Sequence, residues 1–152
     1  MHKVAILMGS ETDRAIMAEA VPYLEHFGIG HEVLVLSAHR QPGKVAAFAE
    51  GARAAGFGVL IAGAGMAAHL AGALKANSTL PVIGVPLPGG LADGLDALLA
   101  TVQMPKGVPV ATMSVGKAGA INSAILAAEI LALNEPALAD KLQQFKDRGA
   151  KL

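Results

Sequence analysis

His39 and Arg40 stand side by side in Ser37-Ala38-His39-Arg40-Gln41-Pro42, directly after the apolar run Val33-Leu34-Val35-Leu36. A guanidinium offers a planar fork that matches phosphate oxygens. An imidazole is the side chain that gains and loses a proton near neutrality. Ser37 can donate to an anion, and Pro42 pre-sets a helix start. A capped helix with a surface arginine is the plainer reading, and the pairing of two such groups in one loop weakens it. A second loop, Gly9-Ser10-Glu11-Thr12-Asp13, follows another apolar run. It places hydroxyls at a helix start, where free backbone N–H groups favour an anion. Asp13 opposes a phosphate but can accept from ribose hydroxyls. Alone, this loop reads first as a Ser10 or Thr12 cap with a favourable acid in the first turn.

A third loop, Gly63-Ala64-Gly65-Met66-Ala67-Ala68-His69, contains Gly-x-Gly-x-x-Ala, the letters of a dinucleotide fingerprint. That fingerprint belongs after the first strand of a fold, with an acid about 20 residues on. Here it follows the third apolar run, and no Asp or Glu occurs between Gly63 and Asp93. The glycines are better read as letting a ligand approach the backbone closely. His69 is as open to a structural role as to a ligand contact. The stretch from Gly84 to Gly94, with Pro86, Pro88, Gly89, Gly90 and Asp93, reads either as a loop closing a crevice or as a plain connection. His2, His26 and His31 are scattered and carry no assignment.

The elements that must position these loops follow from hydrophobic pattern. Val4–Met8, Glu32–Leu36, Val59–Ala62, Val82–Val85 and Val108–Met113 are continuously apolar, as strands buried on both faces are. Helical spacing fills residues about 12–27, 42–55, 66–76, 92–103 and 117–133, and a more polar helix over about 135–147 starts at Asn134 and Pro136. Strand and helix alternating five times predict a parallel sheet with helices on both faces. The fold class is α/β: a five-stranded, flavodoxin-like, three-layer sandwich with an extra C-terminal helix, in one domain over 1–152. In such sheets ligands bind beyond the carboxyl ends of the strands, where all three loops fall. The segment Lys117–Leu133 is apolar nearly all round, which predicts burial on several sides and hence a subunit interface.

Composition narrows the field. The chain has 152 residues, 12 Lys+Arg, 12 Asp+Glu and no Cys. Disulfides and cysteine-liganded metal sites are excluded. No acidic cluster argues for a metal, so neither metal nor cofactor is expected. Zero net charge argues against nucleic acid as a partner. Apolar runs are cut well before the roughly 20 residues that span a bilayer. With no signal-peptide pattern at the start, a cytoplasmic location is expected. Only 16% of residues are charged, below the roughly 25% of ordinary domains, which again points to covered surface. No Gly-x-x-x-x-Gly-Lys loop supports a nucleoside triphosphatase, and no acid after the third strand supports a phosphoacceptor. The residues alone indicate a phosphorylated small-molecule site with a histidine acid/base, and leave the reaction open.

The same loops resemble the N5-carboxyaminoimidazole ribonucleotide mutase family of purine biosynthesis (PurE). The likeness runs from Val4 to about Leu133. It is carried by Met8-Gly9-Ser10-x-Thr12-Asp13, Ser37-Ala38-His39-Arg40-x-Pro42 and Ala62-Gly63-Ala64-Gly65-x-Ala67-Ala68-His69-Leu70. Leu80-Pro81-Val82-Ile83-Gly84-Val85-Pro86, Val102-Gln103-Met104-Pro105-x-Gly107-Val108-Pro109-Val110 and Gly116-Lys117-Ala118-Gly119-Ala120 with Asn122 complete it. The Ala-Ala-His of the third loop resembles the bacterial mutase branch.

The resemblance implies an isomerase that moves a carboxylate from the exocyclic nitrogen to carbon 4 of an aminoimidazole ribonucleotide, without metal, nucleotide cofactor or ATP. It implies His39 as the proton carrier. Ser10, Asp13, Ser37 and Arg40 would hold the ribose phosphate, with Gly9 and Thr12 at the same mouth. His69 would sit beside the carboxylate. Ala38 and Leu70 would line the substrate site, and Ala64, Gly65 and Ala67 would give a small apolar wall. It further implies a homo-octamer and transient contact with the upstream synthetase that makes the labile substrate. Three positions depart from the family pattern: Thr12 for Ser, Met66 for a frequent Gly, and Ala71 for the Pro that usually follows His-Leu. Competing readings are carboxylation of the unsubstituted ribonucleotide, a non-catalytic nucleotide-binding module and, more distantly, a nicotinamide-binding module.

Overall fold

The structure is a computed structural model and describes residues Met1–Leu152. Five parallel strands form one sheet in the order β2-β1-β3-β4-β5. They are β1 (Lys3–Met8), β2 (His31–Val35), β3 (Phe57–Gly65), β4 (Val82–Leu87) and β5 (Ala111–Thr112). This is the flavodoxin-like order. The continuous apolar runs are explained by two cores, one on each face. Val4, Ile6 and Met8 of β1 point into one, and Ala5 and Leu7 into the other. That alternation is the two-residue period of a strand.

The first core lies under α1 (Arg14–Met17), α2 (Val21–Phe27), α6 (Lys117–Ala132) and α7 (Pro136–Asp147). The second lies under α3 (Pro42–Gly51) and α4 (Leu70–Ala76). Helix α5 (Leu95–Val102) packs on β4 beside them, with Thr101 buried against Gly84. Helix α7 clamps α2: Phe145 meets Phe27 edge to face at 5.4 Å, and Lys141 Nζ donates to the Phe27 carbonyl at 3.0 Å. That lysine satisfies a terminal carbonyl just before Gly28, which ends α2 in the left-handed conformation (φ 74°).

Several boundaries differ from the pattern, each for a local reason. The helix expected over 12–27 is broken into a 3₁₀ turn Glu11–Asp13, α1, a second 3₁₀ turn Ala18–Ala20, and α2. Pro22 has no N–H to give to the carbonyl of Ala18, so an unbroken α ladder is not available. Strand β3 runs on to Gly65, because Gly63, Ala64 and Gly65 pair with Val85, Pro86 and Leu87. Strand β5 shrinks to two residues, since Pro109 cannot donate to a ladder. Helix α3 stops at Gly51 and α5 begins only at Leu95. Helix α4 begins at Leu70 and not near 66, because Met66 has φ 52°. Helix α7 is capped at Glu135, not Asn134. Helix α6 is buried mainly within its own chain, against the sheet, α2 and α7. Ile121, Ile125, Leu126 and Ile130 nevertheless stay partly exposed on its outer side. No helix is long and apolar enough to cross a membrane.

Candidate active site

Beyond the carboxyl ends of β1 and β3, the chain leaves in opposite directions. The connection from β1 returns to β2 on one side, and β3 leads to β4 on the other. A crevice opens at that point, as expected of a switch in strand order. It forms a cavity of about 410 Å³ lined by residues of the β1, β2 and β3 loops.

The β1 loop contributes Gly9, Ser10 and Asp13. Ser10 caps the following turn: its Oγ accepts from the Thr12 N–H at 3.3 Å and lies 2.9 Å from Thr12 Oγ1. Thr12 is thus drawn onto Ser10 and does not line the cavity, unlike Ser10 and Asp13. The β2 loop contributes Ser37, Ala38, His39 and Arg40. Ser37 folds this loop. Its carbonyl accepts from Gln41 N–H at 2.8 Å, and its Oγ accepts from Arg40 N–H at 3.2 Å. The β3 loop contributes Ala64, Gly65, Met66, Ala67, His69 and Leu70. Gly65 still belongs to the sheet, paired with Leu87 of β4, so the loop leaves directly from the strand end.

His39 and His69, thirty residues apart, meet inside the cavity. Nε2 of His39 lies 2.7 Å from Nδ1 of His69, and the rings cross at 81°. One ring must donate and the other accept, so the contact holds one proton between two bases. Arg40 has no carboxylate partner, since the four ion pairs join the N-terminal amine to Glu135, Lys3 to Glu32, Arg14 to Glu11, and Lys117 to Glu19. A free guanidinium beside two serine hydroxyls is suited to a phosphate. The Arg14 guanidinium holds Glu11 below the usual carboxylate range through a paired hydrogen bond, so Glu11 stays ionised and its charge is matched by Arg14. Burial pushes the Asp13 carboxyl above its ordinary value, partly offset by the Ser10 N–H. No three His, Asp or Glu side chains lie close enough together to hold a metal.

A wider groove of about 520 Å³ runs between α6 and α7, lined by Ile125, Leu142 and Phe145 with Glu129 and Lys146 at its edges. It gathers no pair of bases and no unpaired cation near a hydroxyl, so the smaller cavity is the candidate site. The cavity gathers every residue singled out for the site except Thr12. It adds Met66, which the sequence marked only as a departure from the Gly frequent at that place in the family pattern.

The chain is similar to known proteins over nearly its whole length. The family model described as AIR carboxylase matches residues 3–151. A Brucella melitensis protein named N5-carboxyaminoimidazole ribonucleotide mutase is 50% identical over 94% of this chain and 88% of its own length. The Escherichia coli K12 protein of the same name is 47% identical over 95% of this chain and 85% of its own. Among solved structures, Treponema denticola PurE superposes with a TM-score of 0.87 at 27% identity, over 97% of this chain and 90% of that one.

Proposed function

The chain belongs to the AIR carboxylase family, and from that premise we propose that it converts N5-carboxyaminoimidazole ribonucleotide into the 4-carboxy-5-amino isomer, with His39 as the proton carrier. The protein is an enzyme, an isomerase of purine biosynthesis. The observation that carries the mechanism is the His39–His69 contact at 2.7 Å inside the cavity that also holds Arg40, Ser10 and Ser37.

The steps balance with one base. The bond between the exocyclic nitrogen and the carboxylate carbon breaks, and its electron pair stays on nitrogen. Carbon dioxide is released, and the nitrogen takes a proton from His39. Carbon 4 of the electron-rich ring then attacks the carbon dioxide and forms the new C–C bond. The hydrogen on carbon 4 leaves as a proton to the now neutral His39. One proton is given and one is recovered, so no oxidant, reductant or nucleotide is consumed. A histidine suits this double duty because both its states are accessible near neutrality. His69 acts beside it, its ring nitrogen holding the imidazole of His39 until the substrate carboxylate comes between them. Arg40, Ser10 and Ser37 take the phosphate, and Asp13 takes ribose hydroxyls.

Capture of free carbon dioxide by the unsubstituted ribonucleotide is the second half of this path, and the family's description favours it as an alternative. The relatives at 47–50% identity carry the mutase name and favour the full isomerisation. The same reading makes the protein a cytoplasmic homo-octamer. Supporting self-association is an apolar row on the outside of the chain, Leu91, Leu95, Leu99 and Val102.

The test is ultraviolet-monitored conversion of freshly made N5-carboxyaminoimidazole ribonucleotide, without ATP or added bicarbonate, beside His39→Asn. The wild type is expected to form the 4-carboxy isomer. The variant is expected to bind substrate but lose turnover by at least about 10²–10⁴-fold, the usual worth of a positioned acid/base. Turnover retained by the variant would remove His39 from the role. Activity only with the unsubstituted ribonucleotide and bicarbonate would establish the carboxylase direction.

A further inference from the structure

Met66 lines the catalytic cavity, and the steps above do not use it. Its φ is 52°, in the left-handed region where a Cβ crowds the next carbonyl and glycine alone is unpenalised. The turn around it is tight. The Ala68 N–H donates to the Met66 carbonyl and the His69 N–H to the Ala67 carbonyl, each at 2.9 Å. The strained residue therefore lies on the segment that delivers His69 to His39. Core burial does not compensate for this strain, because Met66 is 65% exposed. The other small residues of that wall, Ala64, Gly65 and Ala67, reach no further than a methyl group. Of the long side chains this loop brings to the cavity, Leu70 is buried in the core and His69 is engaged with His39, which leaves Met66 as the exposed flexible one. Strain held at a ligand cavity, with no packing gain to explain it, points to use there.

We propose that Met66 is a retention residue: its side chain folds over the bound ribonucleotide and keeps the released carbon dioxide in place between the breaking of the N–C bond and the making of the C–C bond. Carbon dioxide is small and uncharged, so ion pairs cannot hold it and a wall must. A methionine has three rotatable bonds and a polarisable sulfur, and it fills irregular space without a fixed shape. The inference rests on the mutase reading, since only a reaction that frees carbon dioxide has something to lose. Escape leaves the unsubstituted aminoimidazole ribonucleotide plus carbon dioxide, and retention gives the 4-carboxy isomer, so the two outcomes are separate compounds.

The experiment is a single turnover of substrate carrying ¹³C in its carboxylate, in excess unlabelled bicarbonate with carbonic anhydrase. It reads the ratio of unsubstituted to 4-carboxy ribonucleotide and the label kept in the product. Met66→Ala removes the thioether but keeps the strained Cβ, and Met66→Gly removes both. Both are expected to raise the escaping fraction several-fold and to dilute the label. Met66→Leu is expected to recover most of the retention. Melting temperatures check that all three variants fold, and the exposed position predicts that they do. An escaping fraction unchanged in both small variants overturns the proposal. So does a rise in Met66→Ala that Met66→Gly abolishes, which would place the effect in the backbone. Wild-type protein that makes no 4-carboxy isomer fails the mutase reading itself, a different result, and this inference falls with it.

Discussion

An ionised Asp13 would accept more strongly from sugar hydroxyls than a protonated one, yet the fold resists that charge. Burial raises its carboxyl above the ordinary value, with the Ser10 N–H pulling the other way. The folded chain therefore binds the proton more readily than the unfolded chain does. The group's contribution to stability is complete below about pH 4, its unfolded titration range, and is lost as pH rises through the folded value. At neutral pH the ionised carboxylate is a net cost. Asp13→Asn cannot ionise and is expected to melt at a higher temperature than wild type at pH 7, with the difference closing below about pH 4. The same change should weaken substrate binding. A hydrogen bond to a charged group is worth about 1.5–3 kcal/mol, so KM should rise roughly 10- to 100-fold. Thermal melts at the two pH values, with KM at pH 7, check both parts. A lower melting point at pH 7 would show that Asp13 stabilises the fold. His39 and Arg40 stood out in the sequence because a paired imidazole and guanidinium directly follow an apolar run, whereas Asp13, between Thr12 and Arg14, read first as part of a cap. The contact of His39 with His69 was not legible, since it depends on β1 lying between β2 and β3, which no local pattern encodes.

At the scale of elements, the clearest constraint sits where α6 begins. A Cβ on Gly119 would run into the backbone carbonyl of Ser114 and press on Val85. Helix α6 can lie flat on β4 only because that position has no side chain. Alanine usually gains about 1 kcal/mol over glycine inside a helix. Here the clash is with backbone that cannot rotate away, which puts the cost at the upper end of the roughly 1–3 kcal/mol for overpacking. Gly119→Ala is expected to destabilise the chain by about 1–2 kcal/mol net, a fall in melting temperature of roughly 2–8 °C for a domain of this size. A calorimetric melt checks it, and an unchanged or raised midpoint would show that α6 shifts freely. The element types were readable because buried parallel strands are apolar throughout and helices keep their stripe. Their ends were less so. The end of β3 was hidden because Gly63-Ala64-Gly65 looks like loop chemistry yet pairs with β4. The start of α4 was hidden because nothing in the letters of Met66 announces a left-handed backbone. The apolarity of α6 was a correct sign of burial, but α7, from the same chain, supplies much of the cover.

For the whole molecule the open question is what closes the cavity, since His39, Arg40, Met66 and His69 are all exposed in the single chain. A site that must hold carbon dioxide and exclude water needs more cover than one side chain supplies. On the proposed self-association, a second copy would supply it. Leu95, Leu99 and Val102 follow one another at helical spacing on α5, at 47%, 50% and 45% exposure, and Leu91 extends the row at 74%. Scattered exposed leucines are ordinary, but a continuous row marks an association surface. The row starts beside the cavity wall, because Leu91 follows β4, whose end lies against Gly65. Copies joined through α5 would therefore meet close to the cavity. Burying a leucine contributes about 1.5–3 kcal/mol. Replacing two with charges should weaken each contact by roughly 3–6 kcal/mol, or about 10²–10⁴-fold. Leu95→Glu with Leu99→Glu is expected to give a folded, smaller species in sedimentation at micromolar concentration, with reduced turnover and more unsubstituted ribonucleotide escaping. Dissociation without loss of turnover would mean that substrate and Met66 close the cavity within one chain. Unchanged assembly would move the interface off α5, to the groove between α6 and α7, the other broad apolar surface that the chain leaves open.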